Sequence, residues 1–100
     1  MNKKSKFLFS SEEMVILTSK FKIMSEESRI TILQTLHNAE KSVSEIVEET
    51  GFLQANVSKQ LKLLSSGGIV TFRTVGKQHL YKIADDQILK ICKAICSTKE

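Results

Sequence analysis

Apolar residues change their spacing along this chain twice, near Gly68 and again near Asp85. Before Gly68 they recur every three or four positions, which is the period of one helix face. The pattern predicts four helices, at about Ser11 to Ile23, Ser25 to Asn38, Ser42 to Thr50 and Gln54 to Ser65. After Gly68 the alternation of period two predicts two strands, at Ile69 to Val75 and Gln78 to Ile83. A last apolar stripe with helical spacing predicts a fifth helix near the carboxyl end.

Short polar motifs predict where these helices begin and end. Ser10 with Glu13, and Ser42 with Glu45, have the spacing of a capping box, in which each side chain bonds to the other residue's backbone N–H. Thr50-Gly51 is predicted to end the third helix, because glycine adopts the left-handed conformation of a helix end without strain.

The remaining boundaries rest on single residues. Ser25 is predicted to cap the second helix, and Asn38 to end it in a left-handed conformation. Gly76-Lys77 is predicted to form the turn of a β-hairpin, and Asp85 or Asp86 to cap the fifth helix. The predicted order is α1-α2-α3-α4-β-β-α5, a mainly α fold with a small antiparallel β-hairpin wing, as in a winged helix-turn-helix.

Composition is consistent with one soluble domain. The chain has 100 residues, 41% hydrophobic and 26% charged, with no proline and two cysteines. We expect a flexible basic tail over residues 1–10 and one domain over residues 11–97. No apolar run approaches the length of about 18 residues that spans a bilayer, and two cysteines cannot form a disulfide framework. The sequence therefore predicts a cytoplasmic protein with reduced thiols and no membrane partner.

The distribution of charge indicates a polyanionic partner. No Asp or Glu occurs between Gly51 and Ala84, although eight of the eleven carboxylates lie at or before Glu49. The acid-free stretch contains five Lys or Arg residues and His79. Cations without nearby carboxylates can neutralise phosphates and release counterions, so double-stranded DNA is the predicted partner.

The fourth helix and the hairpin carry the predicted DNA contacts. In a helix-turn-helix the second helix enters the major groove, where amides and hydroxyls read bases and cations hold phosphates. The candidate DNA-binding residues are Gln54, Asn56, Ser58, Lys59, Gln60, Lys62, Arg73, Lys77 and His79. Phe52 and Phe72 are predicted to be core residues. The alternative for the polar side of the fourth helix is the solvated face of a small helical bundle.

Two segments resemble the ArsR/SmtB family of winged-helix repressors. Residues 21–33 resemble the entry to helix 2 of that family, and residues 57–70 are similar to its recognition helix and first strand. The resemblance implies a homodimer formed by the first and last helices, which binds an operator of two-fold symmetry. It also implies release of DNA when an inducer, such as a metal ion, binds.

The metal-binding residues of that family are missing. Metalloid-sensing members carry Cys-Val-Cys at the start of the third helix, whereas this chain has Ser42-Val43-Ser44. Hydroxyls do not replace soft thiolates as ligands for such ions. At the zinc site of the last helix Asp85 is retained, but Gln87 and Thr98 occupy the two histidine positions. No cofactor or metal is therefore assigned from the family pattern.

Cys92 and Cys96 are the remaining candidates for an inducer or redox site. Their four-residue spacing places both thiols on one side of the last helix, and a two-fold dimer can bring four thiols together. Such a group suits a soft metal, a metalloid or an oxidant. The alternative is that both are small apolar residues in a dimer contact.

The function predicted from the sequence is that of a DNA-binding transcriptional repressor, without enzymatic activity, acting as a homodimer on an inverted-repeat operator. A thiol-reactive or metal inducer is a further expectation. Two other functions are considered: a winged helix that binds protein, and a thiol redox protein. The second lacks a His or a glycine-rich turn beside its cysteines that would activate a thiol.

Overall fold

The computed structural model describes residues 6–97. Its helices and strands are α1 Ser11–Met24, α2 Glu27–Thr35, β1 Lys41–Ser42, α3 Val43–Thr50, α4 Gln54–Ser66, β2 Val70–Val75, β3 Gln78–Ile83 and α5 Gln87–Ser97. The strands form one antiparallel sheet in the order β1-β3-β2. The predicted winged helix-turn-helix is thus confirmed. The two-residue strand β1 was not predicted, because it is too short to show an alternating pattern.

The two capping boxes form as their spacing predicts. Ser10 Oγ accepts a hydrogen bond from the Glu13 amide at 3.1 Å, and the Ser10 amide donates to Glu13 Oε1 at 2.8 Å. Ser42 and Glu45 make the equivalent pair at 3.2 and 2.8 Å. Gly51 ends α3 with a φ of 75°, in the left-handed region. These bonds satisfy backbone groups that a helix end leaves without intrahelical partners.

Both predicted boundaries of α2 are wrong. Glu26, not Ser25, is the N-cap, and its carboxylate accepts from the Arg29 amide at 3.3 Å. Ser25 instead belongs to the end of α1, where its hydroxyl donates to the Lys22 carbonyl oxygen at 2.8 Å. At the other end α2 stops at Thr35, and no residue of 6–97 other than glycine has a positive φ, so Asn38 is not a left-handed cap.

The core lies between α2, α3, α4 and the base of the hairpin. Among the described residues, ten apolar side chains are buried: Ile32, Leu33, Leu36, Ile46, Val57, Leu61, Leu64, Ile69, Val70 and Ile88. Phe52 packs against this core and is half-buried. Phe72 is 43% exposed, so its prediction as a core residue is wrong. It lies beyond the part of the hairpin that the core covers.

The outer helices α1 and α5 contribute little to this core. No residue of α1 is buried, and Ile88 is the only buried residue of α5. Between them lies an apolar groove of about 390 Å³, whose lining includes Leu17, Phe21, Met24, Ile88, Ile91 and Cys92. Lys20 of α1 forms an ion pair with Asp85, just before α5, with 3.7 Å between Lys20 Nζ and Asp85 Oδ2.

Residues 1–5 of the predicted basic tail lie outside the described residues. In the described remainder, Lys6 to Phe9 precede α1 without helical structure, and all four are exposed. Within residues 6–97, none of the helices has the length and apolar character to cross a bilayer.

Candidate nucleic-acid interface

The turn between α3 and α4 presents the start of α4 to solvent. The Thr50 hydroxyl donates to the Ile46 carbonyl oxygen at 2.8 Å and accepts from the Phe52 amide at 3.1 Å, which fixes the chain on either side of Gly51. No side chain caps the first turn of α4, and that turn contains no acidic residue. Its N–H groups and the helix dipole therefore favour an anion at this end.

Four of the predicted contact residues point outward from α4. Val57, Leu61 and Leu64 face the core, which leaves the other side of the helix to solvent. The exposed candidates are Gln54, Ser58, Lys59 and Lys62. Within residues 6–97 no carboxylate forms an ion pair with either lysine. This face of α4 therefore combines short polar groups with two uncompensated positive charges.

Gln60 does not belong to that face, which corrects its prediction as a base-reading residue. It is 6% exposed, and its Oε1 accepts a hydrogen bond from Arg29 Nη1 at 2.8 Å. Its Nε2 donates to Asn56 Oδ1 at 3.0 Å. The amide is thus bonded at both ends inside the protein. Asn56 is half-buried beside Gln60, and its Nδ2 group lies at the outer end of these hydrogen bonds.

Arg73 is not the free cation that the acid-free stretch suggested. Its Nε and Nη2 donate to the two carboxylate oxygens of Glu40, each at 2.9 Å. The hydrogen bond from Arg73 is the main cause that lowers the pKa of Glu40 and raises that of Arg73. The prediction considered only carboxylates that are near Arg73 in sequence, whereas the fold brings Glu40, 33 residues away, into contact with it. Arg73 is 62% exposed, so a phosphate can still compete for it.

The hairpin separates its predicted contacts onto two faces. Arg73 lies opposite Leu80 and Thr74 lies opposite His79, and neighbouring pairs of a ladder point to opposite sides. His79 stacks on Phe72 with 4.2 Å between ring centroids, and Thr74 Oγ1 lies 3.3 Å from His79 Nδ1. His79 and Arg73 therefore cannot contact the same groove wall from one face of the wing.

Lys77 occupies the tip of the wing. It follows Gly76, whose φ of 62° fits the first central position of a two-residue hairpin turn. Its side chain is exposed, and no carboxylate of residues 6–97 pairs with it. Among the wing candidates, Lys77 is therefore the uncompensated cation.

The structure separates the two cysteines in exposure. Cys92 is half-buried and lines the groove between α1 and α5, whereas Cys96 is exposed one turn later. In the position of a metalloid ligand, Ser42 is buried and its hydroxyl caps α3. Within residues 6–97 no group of three or more His, Cys, Asp or Glu residues could hold a metal ion.

Two residues of this region, Arg29 and Glu40, were not predicted, and only Arg29 has a sequence pattern that could have identified it. Arg29 lies four and seven positions before the buried Leu33 and Leu36, and an arginine on a buried stripe requires a polar partner. Gln60 itself lies three residues after Val57 and four before Leu64, which places it on the apolar side of α4. Glu40 carried no such signal, because its partner lies 33 residues away.

Known proteins with similar sequences bear on this geometry. Residues 26–71 match the family model described as bacterial regulatory protein, arsR family. This match runs from the start of α2 to the beginning of β2, so this segment of the chain is similar to the ArsR family. The chain is 31% identical over 74 residues to the biofilm growth-associated repressor of Agrobacterium fabrum, a match that covers 74% of this chain and 63% of that protein. It is 35% identical over 63 residues to the transcriptional repressor SmtB of Mycobacterium tuberculosis, covering 63% and 47%. The chain thus spans about half to two thirds of the length of these relatives.

Solved structures of similar proteins have the same fold as this chain. The transcriptional regulator HlyU from Vibrio vulnificus superposes with a TM-score of 0.74 and 28% identity, covering 87% of this chain and 91% of that one. A homodimeric winged helix-turn-helix DNA-binding domain from Mycobacterium bovis gives a TM-score of 0.75 and 25% identity, covering 92% and 88%.

Proposed function

We propose that this chain is a DNA-binding transcriptional repressor of the ArsR family. The observation that carries the proposal is the outward face of α4, where Lys59 and Lys62 lie beside exposed amide and hydroxyl groups at a helix start without acids. Cations of this kind bind phosphates, and the polar groups read base edges in a major groove. The relatives named as repressors support the same function.

We propose further that the repressor acts as a homodimer joined through α1 and α5. Large apolar residues of both helices are exposed in one protomer: Met14 47%, Val15 64%, Ile16 55%, Phe21 56%, Ile91 42% and Ile95 63%. Large apolar side chains exposed in this number on a small domain are typical of a subunit contact. The M. bovis domain of similar fold is described as homodimeric. A two-fold dimer places its two recognition helices about 34 Å apart, one turn of DNA.

Selection from a library of random duplexes tests both proposals. We expect an inverted repeat whose half-sites lie about 10 base pairs apart, bound with an affinity that falls steeply with salt. A winged helix that binds protein would enrich no sequence and show no salt-dependent binding to any duplex. Enrichment of a single half-site would retain the repressor and contradict the dimer.

Regulation through Cys92 and Cys96 is the third part of the proposal. Cys92 lies in the groove beside the proposed dimer contact, so a metal, metalloid or oxidant bound there would alter the orientation of the subunits. A coupling of about 1 to 3 kcal/mol is enough for a switch. Operator binding is measured on the reduced protein, with oxidant and with thiophilic ions, alongside Cys92→Ser and Cys96→Ser. Identical curves under all conditions would show that the thiols are structural.

A further inference from the structure

A chain of hydrogen bonds connects the end of α1 with the start of the recognition helix α4. Arg29 Nε donates to the Ile23 carbonyl oxygen at 2.6 Å, and Arg29 Nη1 donates to Gln60 Oε1 at 2.8 Å. Gln60 Nε2 then donates to Asn56 Oδ1 at 3.0 Å. We call these three side chains, Arg29, Gln60 and Asn56, the amide relay. Within residues 6–97 no buried side-chain N or O atom lacks a partner, so the relay is complete on its inner side.

The direction of this relay is fixed by chemistry. A guanidinium group has donors only, so the end of Gln60 that faces Arg29 must be the carbonyl oxygen. The amino end of Gln60 must then face Asn56, which turns the Asn56 oxygen inward and its Nδ2 outward. An isolated amide can rotate by half a turn and exchange donor for acceptor. In Gln60 that rotation would place its amino group against the Arg29 donors and its oxygen against the Asn56 oxygen.

Burial makes the fixed direction costly to reverse. Gln60 is 6% exposed, and the Arg29 side chain is 15% exposed, so water cannot replace a lost partner at either residue. The guanidinium is also held by the α1 carbonyl and lies 3.9 Å from Glu26 Oε1. Asn56, half-buried in the first turn of α4, is the relay's open end.

From this geometry we infer that Arg29 and Gln60 are positioning residues that make Asn56 read bases as a hydrogen-bond donor. The inference rests on the proposed function, since it assumes that α4 enters a major groove. Guanine presents two acceptors, N7 and O6, on its major-groove edge, whereas cytosine presents the N4 amino donor. Asn56 therefore favours guanine and disfavours cytosine at the base it contacts.

The test uses selection from random duplexes with the full chain. Asn56→Ala first identifies the operator position whose base preference depends on Asn56. At that position we expect the wild type to prefer guanine over cytosine by about fivefold or more. Gln60→Glu keeps an acceptor for Arg29 but offers no donor to Asn56, so the Asn56 amide turns and presents its oxygen. The guanine-to-cytosine ratio should then fall by about tenfold or more.

A matched control separates this effect from added charge. Gln54→Glu introduces the same substitution on the exposed first turn of the same helix, away from the relay. It should weaken binding and can alter the preference at the base that Gln54 itself contacts, but it should leave the ratio at the Asn56 position unchanged. An equal change of the ratio in both variants, or no change in Gln60→Glu, would overturn the inference.

Two further measurements keep the inference testable if Gln60→Glu fails to fold. Asn56→Asp, at a half-buried position, presents only acceptors and should likewise favour cytosine. Exchange of side-chain amide protons, followed by NMR, should be slower at Gln60 than at Gln54; equal rates would mean that the relay is open. A wild type that enriches no duplex refutes the proposed function, whereas an enriched motif that Gln60→Glu leaves unchanged refutes only the relay.

Discussion

The segment from α2 to β3 buries or half-buries most of its apolar residues within one protomer, whereas α1 and α5 leave most of theirs exposed. Nine of the ten core residues lie between Ile32 and Val70, and only Ile88 comes from an outer helix. The central segment offers polar side chains to a ligand, while the outer helices expose six large apolar side chains. The contrast supports the proposal that one region is folded by its own core and the other is completed by a second copy.

The largest expected effect concerns the outer helices. Ile91→Glu places a carboxylate at the groove between α1 and α5, and a two-fold dimer contains the substitution twice. At about 3 kcal/mol for each unpaired buried charge, self-association should weaken by about four orders of magnitude. Sedimentation velocity should show a monomer, and circular dichroism should show unchanged helix content. Lys90→Glu, on the exposed side of α5, is the control and should remain dimeric.

The second largest effect concerns the central core, measured in the Ile91→Glu background so that association does not contribute. Leu61→Ala removes a fully buried side chain of α4 and should lower the free energy of unfolding by about 2 to 5 kcal/mol. Ile16→Ala, on α1, should change it by less than about 0.5 kcal/mol, because Ile16 is 55% exposed. Urea unfolding measures both. Equal losses would mean that α1 belongs to the same core.

The salt dependence of DNA binding should distinguish lysines of the central segment from lysines of the outer helices. Lys62→Ala should reduce the slope of log affinity against log salt concentration by about one unit for each protomer, because one phosphate contact is lost. Lys90→Ala, also an exposed lysine but on α5, should leave the slope unchanged. Titration of the selected duplex at several salt concentrations gives both values. A slope that fell equally in the two variants would place α5 on the DNA as well.

The smallest expected effect is a pH dependence within the central segment. Arg73 lowers the pKa of Glu40 below its ordinary value of 4.5. A lowered pKa in the folded state means that this pair adds stability above pH 4.5 and that the contribution is lost as pH falls through the lower value. The pair is exposed, so the effect on unfolding is slight. NMR titration of the Glu40 carboxyl should give a pKa that returns toward 4.5 in Arg73→Ala.

Local motifs allowed much of the fold to be predicted from the sequence. The capping box of Ser10 with Glu13, the left-handed Gly51 and the Gly76-Lys77 turn each depend on residues within four positions of one another. Glu26 replaced Ser25 as a cap because the two are adjacent and both can accept from a backbone N–H. Such competition between neighbours is decided by the packing of α1 on α2, which a local pattern does not contain.

The site was predicted less completely, because its polar partners are distant in sequence. Lys59, Lys62 and Lys77 were identified as uncompensated cations from composition, and the structure agrees on their exposure. Gln60 and Arg73 were assigned to DNA, yet their partners Arg29 and Glu40 lie 31 and 33 residues away. A count of charges along the chain cannot include a carboxylate that the fold brings to the wing.

The Glu40–Arg73 ion pair makes contact between the wing and a phosphate an exchange reaction. A phosphate that binds Arg73 displaces a carboxylate whose two oxygens already accept hydrogen bonds from the guanidinium, each at 2.9 Å. The binding free energy gained at Arg73 is therefore the difference between its contact with the phosphate and its contact with Glu40. A polyanion that the rest of the protein holds only weakly gains little from this exchange. The released Glu40 would also lie close to the DNA and repel it. In the proposed complex with DNA, Arg73 would therefore favour a duplex that α4 has already aligned over a loosely bound one.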